Sequence, residues 1–435
     1  MLDIQFIREN KDLVAEKSLQ KGYKVDIDKL LEFDKKRKSL LQKIEKIRAD
    51  RNELVSQTKG QKPTDQQMVD GRMLKENLSK LESDLAPIDE EYLKLLKQVP
   101  NMPTDDVPVG KSEDDNVVVK EVGQKPQFDF EPKSHWQIGE AKDWIDKERA
   151  SKVSGSRFAY IKGNLARLQF AIIQYVIDTL TDEKVIQDLI KQEGLNLKST
   201  PFTLVLPPAM IKTSVFDAMD RLEPQDDRYR VGEDGDDLWL QGSAEHTIGS
   251  MHLNEILSEK QMPIRYLGYS SSFRREAGTY GKDTEGLIRM HQFDKLEMEV
   301  FSSPETGIDE HKLLIAIQEY LMRQLNLPYH VLMKCTADIG KPNVRGVDID
   351  AWMPAQNKYR ETHTADYMSD YQTRRLKTRI KKSDGKIELA HTNDATAFAL
   401  GRTMAVIIEN YQNKEGNVNI PEVLKKYLPS LGDEL

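Results

Sequence analysis

The stretch SSFRREAGTYGKDTEGLIRMHQFDKLEMEVF, residues 271–301, concentrates charged and aromatic groups on what otherwise reads as strand. In a strand, residues two apart share a face. Read as strand from 287, one face carries Leu287, Arg289, His291, Phe293, Lys295, Glu297, Glu299 and Phe301. The other carries Ile288, Met290, Gln292, Asp294, Leu296, Met298 and Val300 and suits burial under helices. Upstream, Arg274 and Glu276 share a face at the end of IRYLGYSSSF. A loop at 277–286, loosened by Gly278 and Gly281, folds the two charged faces together. Such a floor suits an anionic, planar ligand. Arginine forks grip phosphate oxygens through charge-assisted bonds, and Phe293 offers a base a stacking surface worth roughly 1–3 kcal/mol. Glu297, four residues on, is placed to hold an amine or hydroxyl of a second substrate. The same spacing also describes a salt-bridged solvent face on an edge hairpin, and spacing alone leaves both readings open.

The elements that must position this floor begin after residue 134. A helical stretch (164–193) comes first, then a short apolar strand, FTLVLPP (202–208), and a charged loop (221–237). Strand-like segments alternate with helices from there to 412. Helices and mostly antiparallel strands in irregular order imply an α+β body rather than a wound βαβ sheet. The body lacks a G-x-x-x-x-G-K-[ST] loop and a convincing G-x-G-x-x-G, so phosphates have to be held by side chains. At 435 residues, 31% charged and 38% hydrophobic, the chain has room for two or three domains. Its net charge of −8 argues against wholesale coating of nucleic acid but permits a local basic patch. The single Cys335 excludes an intrachain disulfide and a multi-cysteine zinc site, which fits a reducing cytoplasm. No apolar run approaches the ~20 residues that span a bilayer, and no signal-peptide core opens the chain. The terminal GDEL, without a secretory signal, reads as coincidence.

The first hundred residues follow another rule. Ile27, Leu30, Phe33, Arg37, Leu40, Ile44, Ile47, Arg51 and Leu54 recur at spacings of three and four. After KGQKPT (59–64), Leu74, Leu78, Leu81, Leu85, Ile88, Tyr92 and Leu95 repeat the pattern. This is the coiled-coil signature, with Gly60 and Pro63 reversing the chain. Two helices of roughly 30 residues make an antiparallel hairpin on the order of 45 Å long. Residues 29–62 hold 11 Lys/Arg against 5 Asp/Glu, and residues 64–95 hold 4 against 8. Opposite signs on paired helices stabilise each other. Lys35, Lys36, Arg37, Lys38, Lys43, Lys46, Arg48 and Arg51 also suit a phosphate backbone, and composition does not separate the two. The prolines of VPNMPTDDVPVG (99–110) close the hairpin, which places an N-terminal domain at 1–110, a linker at 111–134 and the second domain at 135–435.

Residues 273–301 resemble motif 2 of the class II aminoacyl-tRNA synthetases, and specifically of the seryl-tRNA synthetases, where an Arg-x-Glu strand leads into a glycine loop and Arg-x-His-Gln-Phe-x-Lys-x-Glu follows. The resemblance extends over nearly the whole chain, through MLDIQFIREN, the hairpin, WQIGEAKDWIDKERASKVSGSRFAYIKGNLARLQFAI, LVLPP as motif 1, HTNDATAFALGRTMAVIIENYQ as motif 3, and GNVNIPEVLKKYLPSL. It implies an antiparallel-sheet catalytic domain with an N-terminal coiled-coil arm. The implied enzyme is a cytoplasmic serine–tRNA ligase acting on ATP, L-serine and tRNA(Ser), homodimeric through motif 1, with Mg²⁺ and no membrane or zinc.

By the same resemblance, Arg274 contacts the ATP α-phosphate and Arg402 the γ-phosphate, the pair that does the catalytic work. Glu276 meets the adenine amino group, Arg289 lies along the phosphate tail and Phe293 stacks on the adenine. Arg275, Thr362 and His363 are counted with the ATP contacts, and Glu361 and Thr364 with both ATP and Mg²⁺. Serine falls to Ser243, Ala244, Glu245, Glu297, Asp394 and Thr396, and the eight basic residues of the hairpin fall to tRNA. Departures from the family pattern gather on the serine side. Ser243 stands where threonine is usual, ETHT (361–364) where Glu-Ile-Ser-Ser is common, and Asp394 at an asparagine position. IKTSVFDAMDRLEPQDDRY (211–229) replaces a glycine-rich stretch. These departures keep two alternatives in view: a paralogue that adenylates another small amino acid, and an inactive scaffold that binds tRNA or protein.

Overall fold

The computed structural model describes residues 1–58, 62–232, 237–277 and 286–435. Gly60, Gly278 and Gly281, expected as turn and loop residues, lie outside that set. The chain divides into two compact units, Met1–Met102 and Pro103–Leu435.

The first unit is helical, with α1 (Ile4–Glu9), α2 (Lys11–Gln20), α3 (Ile27–Gln57) and α4 (Asp65–Gln98). Asp26 starts α3 by accepting from the Lys29 N–H at 2.9 Å. A capping box between Thr64 and Gln67 starts α4. The 3-4 spacing does what it implies: Leu30, Ile44, Leu78, Tyr92 and Leu95 are buried along the pair. The opposite charges are used as well. Lys29–Glu91 (2.7 Å), Arg37–Asp89 (2.5 Å) and Arg48–Glu82 (2.8 Å) cross between α3 and α4. Lys36 pairs with Glu32 one turn back at 2.6 Å.

The second unit is built on an eight-stranded sheet. Its strands are β1 (Val117–Val122), β2 (Thr203–Val205), β3 (Ile264–Phe273), β4 (Gln292–Ser302), β5 (Tyr329–Met333), β6 (Arg345–Met353), β7 (Lys358–Ser369) and β8 (His391–Ala399). They lie in the order β1-β5-β6-β7-β8-β4-β3-β2. Every pairing is antiparallel except β2 with β3, so the α+β expectation holds. Helices α5 (Gly163–Leu180), α6 (Glu183–Gln192), α7 (Gly307–Gln324) and α8 (Leu400–Tyr411) contribute to one apolar core with Leu296, Met298 and Val300 of β4. That is the face the alternation assigned to burial. Deep in the fold, Arg265 of β3 and Glu310 of α7 form a fully buried two-bond pair, both bonds 2.9 Å.

Three expectations need correction. Residues 287–291 are turn rather than strand, and β4 begins at Gln292. The helical stretch 164–193 is two helices, because Asp182 caps the N-terminus of α6 and restarts the chain. The 111–134 segment is more than a linker, since β1 pairs with β5 at the sheet edge, and the compact units divide at 102/103 rather than at 110.

Candidate active site

The polar face of β4 carries Phe293, Lys295, Glu297 and Glu299. β3 ends beside it, and Arg274, just past that end, donates its backbone N–H to the His291 carbonyl at 3.0 Å. The Arg274 guanidinium lies 5.4 Å from the Phe293 ring centre, and its Nε donates to the Gly242 carbonyl at 3.1 Å. Glu276 and Arg289 meet across the hairpin through an ion pair of 2.9 Å. From the far side, Arg402 in the first turn of α8 reaches Glu361 of β7, with Nη1 2.9 Å from its carbonyl and 3.1 Å from its carboxylate. Arg274, Glu276, Phe293, Lys295, Glu361, Thr362, Thr364, Thr396 and Arg402 line one cavity. Arg289 joins Arg274, Glu276, Glu361 and Arg402 around an adjoining recess.

Strict alternation puts Glu361 and Thr364, three residues apart, on opposite faces. A bulge at Thr362 resolves this, since Ile349 pairs with His363 while Asp350 pairs with Glu361. A second bulge, at Ala397, lets Thr396 and Ala399 line the same cavity. Two of the expected ATP contacts stand elsewhere. Arg275 turns onto Tyr229, 5.0 Å from its ring centre. His363 is buried 5.2 Å from the Phe398 ring, with Nδ1 bonded to the Thr362 hydroxyl at 2.8 Å. Burial, the dominant effect, holds that imidazole neutral, down to about 3.

Beside the cavity lie the residues expected to hold serine, almost wholly buried. Ser243 donates its hydroxyl to Glu297 at 2.8 Å, and Lys295 closes an ion pair with the same carboxylate. Among the described residues Glu297 Oε1 and Asp394 Oδ1 have no hydrogen-bond partner, so two buried acceptors stand ready for a donor. Gly268, opposite Glu297, lets this layer form. A Cβ there would meet the Ile248 methyl at 2.4 Å and Ala244 at 3.0 Å, so glycine lets the Ser243–Ile248 segment pack close against the sheet. The Ala244 methyl packs at that contact and is fully buried.

Glu245 is held by Arg221 (2.7 Å) and Gln372 (3.2 Å). Burial opposes its charge, but the Arg221 guanidinium outweighs that and holds the carboxyl at about 2. Arg221 comes from the segment that departs from the family pattern. Sequence reasoning missed its role, and the only signal was one arginine among three in a charged loop.

Toward a divalent cation, Glu361 has a second carboxylate near it. Asp350 faces it in register, and burial followed by the Glu361 charge raises Asp350 to about 6. Two carboxylates with phosphate oxygens and waters are the donor set Mg²⁺ takes, so these residues fit it. Among the described residues no three His, Cys, Asp or Glu side chains form a metal cage. The Thr364 hydroxyl lies 3.5 Å from Lys334, which also sits 3.5 Å from Asp348.

On the hairpin, Lys36, Arg37 and Arg48 are engaged in the ion pairs already described. Lys35, Lys38, Lys43, Lys46 and Arg51 are exposed and have no ion pair among the described residues.

Comparison with known proteins identifies the family. Residues 1–103 match the seryl-tRNA synthetase N-terminal domain family, and residues 229–411 the class II tRNA synthetase core domain family for G, H, P, S and T. A serine–tRNA ligase of Symbiobacterium thermophilum is 38% identical over 98% of each chain. One from an Exiguobacterium species is 37% identical at the same coverage. Among solved structures, the seryl-tRNA synthetase of Pyrococcus horikoshii complexed with ATP superposes with a TM-score of 0.85 at 34% identity, covering 100% of this chain and 99% of that one. The cytoplasmic serine–tRNA ligase of Naegleria fowleri in complex with AMP gives 0.82 at 27% identity, covering 100% and 98%.

Proposed function

Because the chain belongs to the seryl-tRNA synthetase family, and is an ATP-dependent serine–tRNA ligase, we propose that the cavity between Arg274 and Arg402 is where serine is activated. The observation that carries this is one cavity lined by two guanidinium groups, with an aromatic wall at Phe293 and orphaned carboxylate oxygens beside it. The adenine stacks on Phe293, with its amino group toward Glu276. Arg274 neutralises the α-phosphate, and Arg289 and Arg402 hold the phosphate tail. Serine enters beside Lys295 and Thr396. Its ammonium faces Glu245, with Asp394 in the layer behind, and its hydroxyl reaches Glu297 and Ser243.

The serine carboxylate then attacks the α-phosphorus in line. The new P–O bond forms as the bond to the β-phosphate oxygen breaks, giving seryl-adenylate and pyrophosphate. No side chain acts as nucleophile. Positioning and charge neutralisation by fixed arginines supply the acceleration. Mg²⁺, held by Glu361 and Asp350 with Thr364 nearby, would supply further neutralisation of phosphate charge when bound. In the second step the terminal ribose hydroxyl of tRNA takes the seryl group and AMP leaves.

The unpaired cations of the hairpin support tRNA(Ser) as the ligand of the N-terminal unit, bound through backbone phosphates. Exposed Leu204, Leu206 and Met210, in and beside the motif 1 segment, support a homodimer through that segment. The lone, reduced Cys335 supports a cytoplasmic setting, and no helix among the described residues is long and apolar enough to cross a membrane.

The test is ATP–pyrophosphate exchange with Mg²⁺ and each of the twenty amino acids, without tRNA. Exchange with serine alone is expected. Exchange with another amino acid and not serine would refute the pocket assignment.

A further inference from the structure

One buried titratable group takes no part in the scheme above. Glu299 lies two residues beyond Glu297 on the same face of β4 and is fully buried. Its register partner on β8 is Asp394, itself 3% exposed. Residues paired across neighbouring strands hold their Cβ atoms roughly 4.5–5.5 Å apart, so the two carboxyls are direct neighbours. Among the described residues neither oxygen of Glu299 meets a hydrogen-bond partner, and Asp394 Oδ1 has none. Gly249 closes the other side, where a Cβ would stand 3.2 Å from Glu299 Oε1.

The charged groups around the pair do not neutralise it. Glu297 on the same strand and Glu245 on the short helix above add negative charge. Tyr266 is the register partner of Glu299 on β3. Asp366, next to Asp394 on β7, lies 3.9 Å from Lys334. The nearest cation, Arg221, is committed to Glu245 at 2.7 Å and stands 3.9 Å from Asp394. Two adjacent buried carboxylates without a donor or a dedicated cation cannot both stay ionised.

We propose that Glu299 and Asp394 hold one proton between them as a carboxyl layer beneath the amino-acid pocket, that this leaves Arg221 free to fix Glu245, and that loss of the proton weakens serine binding. The proposal rests on the reading of Glu245 as a serine contact. Burial, and next the charge of its partner, raises the Glu299 carboxyl well above the ordinary range. Burial, and next the charge of Glu245, does the same for Asp394. When the proton leaves, Arg221 is drawn toward Asp394, and Glu245 loses the guanidinium that orients it. Glu299 is thus a positioning residue, acting through Arg221, and it does not touch substrate.

The experiment is pyrophosphate exchange by the full chain between about pH 6 and about pH 10, with KM for serine and for ATP measured separately in wild type and Glu299→Gln. Glutamine copies the protonated acid and has no proton to lose. Wild type should show KM for serine rising by roughly tenfold per pH unit above the point of release, with KM for ATP unmoved. Glu299→Gln should match wild type at neutral pH and lack that alkaline rise. Asp394→Asn, which leaves a single carboxyl in the layer, should lack it too, whatever its effect at neutral pH. The ammonium of serine titrates equally in all three, so only differences between the profiles count. Parallel profiles overturn the proposal. So does a Glu299→Gln variant whose KM for ATP rises as much as its KM for serine. If wild type shows no serine-dependent exchange at any pH, the pocket assignment fails instead.

Discussion

Replacing Arg274 by alanine separates the architectural part of this residue from its chemical part. In the structure its guanidinium does two things: it donates to the Gly242 carbonyl at 3.1 Å and lies 5.4 Å over the Phe293 ring. The first is a part-buried hydrogen bond, and losing it costs about 1 kcal/mol. The second contributes about 0.5–1 kcal/mol at a partly exposed site. Neither unfolds a body of this size. Loss of one fixed donor at a developing phosphoryl charge costs about 2.7–4 kcal/mol, or roughly 10²–10³ in rate. The catalytic loss therefore dominates, and Arg274→Ala should fold and melt close to wild type while serine-dependent pyrophosphate exchange falls by roughly 10²–10³. Most of the fall should be in kcat, because Arg289 and Arg402 still hold the phosphate tail. Lysine at 274 keeps a charge without the planar fork and should recover only part of the loss. Exchange by Arg274→Ala within roughly threefold of wild type, under 1 kcal/mol, would refute the assignment of this arginine to the α-phosphate.

Two further predictions concern other residues of the chain. Changing Lys35, Lys38, Lys43, Lys46 and Arg51 together to glutamine should leave exchange unaltered while tRNA charging weakens. Its salt dependence should become shallower, by roughly 0.7–0.9 in the log–log slope for each phosphate no longer neutralised; charging at wild-type efficiency would show that tRNA binds elsewhere. Arg265→Met leaves Glu310 fully buried without its cation, and denaturant unfolding should report a loss of about 3–5 kcal/mol. A change below about 1 kcal/mol would mean that Glu310 is protonated or rehydrated in the variant.

Much of this molecule was legible before any coordinate. The hairpin follows from apolar residues at 3-4 spacing, because a helix brings those positions together through local bonds alone. The opposed charges of α3 and α4 are equally local. The apolar face of β4 was read from alternation, and the motif resemblance marked Arg274, Glu276, Phe293, Glu297, Glu361 and Arg402 without any geometry. Where reasoning from alternation failed, the cause was specific. Residues 287–291 carry a strand-like pattern, yet they form the turn that delivers Arg289 to Glu276.

The sequence by itself determined the helical arm, the α+β class and the residue types that meet a nucleotide, since each is written in local spacing or in a contiguous motif. Tertiary structure alone decided which of those residues share a surface. Bulges at Thr362 and Ala397 set the facing of Glu361, Thr364 and Thr396, and a bulge is a property of two strands pairing, not of either one. Arg221 reaches Glu245 from a loop 24 residues away in sequence. Glu299 becomes a neighbour of Asp394 only because β4 and β8, nearly a hundred positions apart, lie side by side. Whether a carboxyl keeps its proton depends on the charges that such long-range pairing brings to it and on the water that the same packing removes.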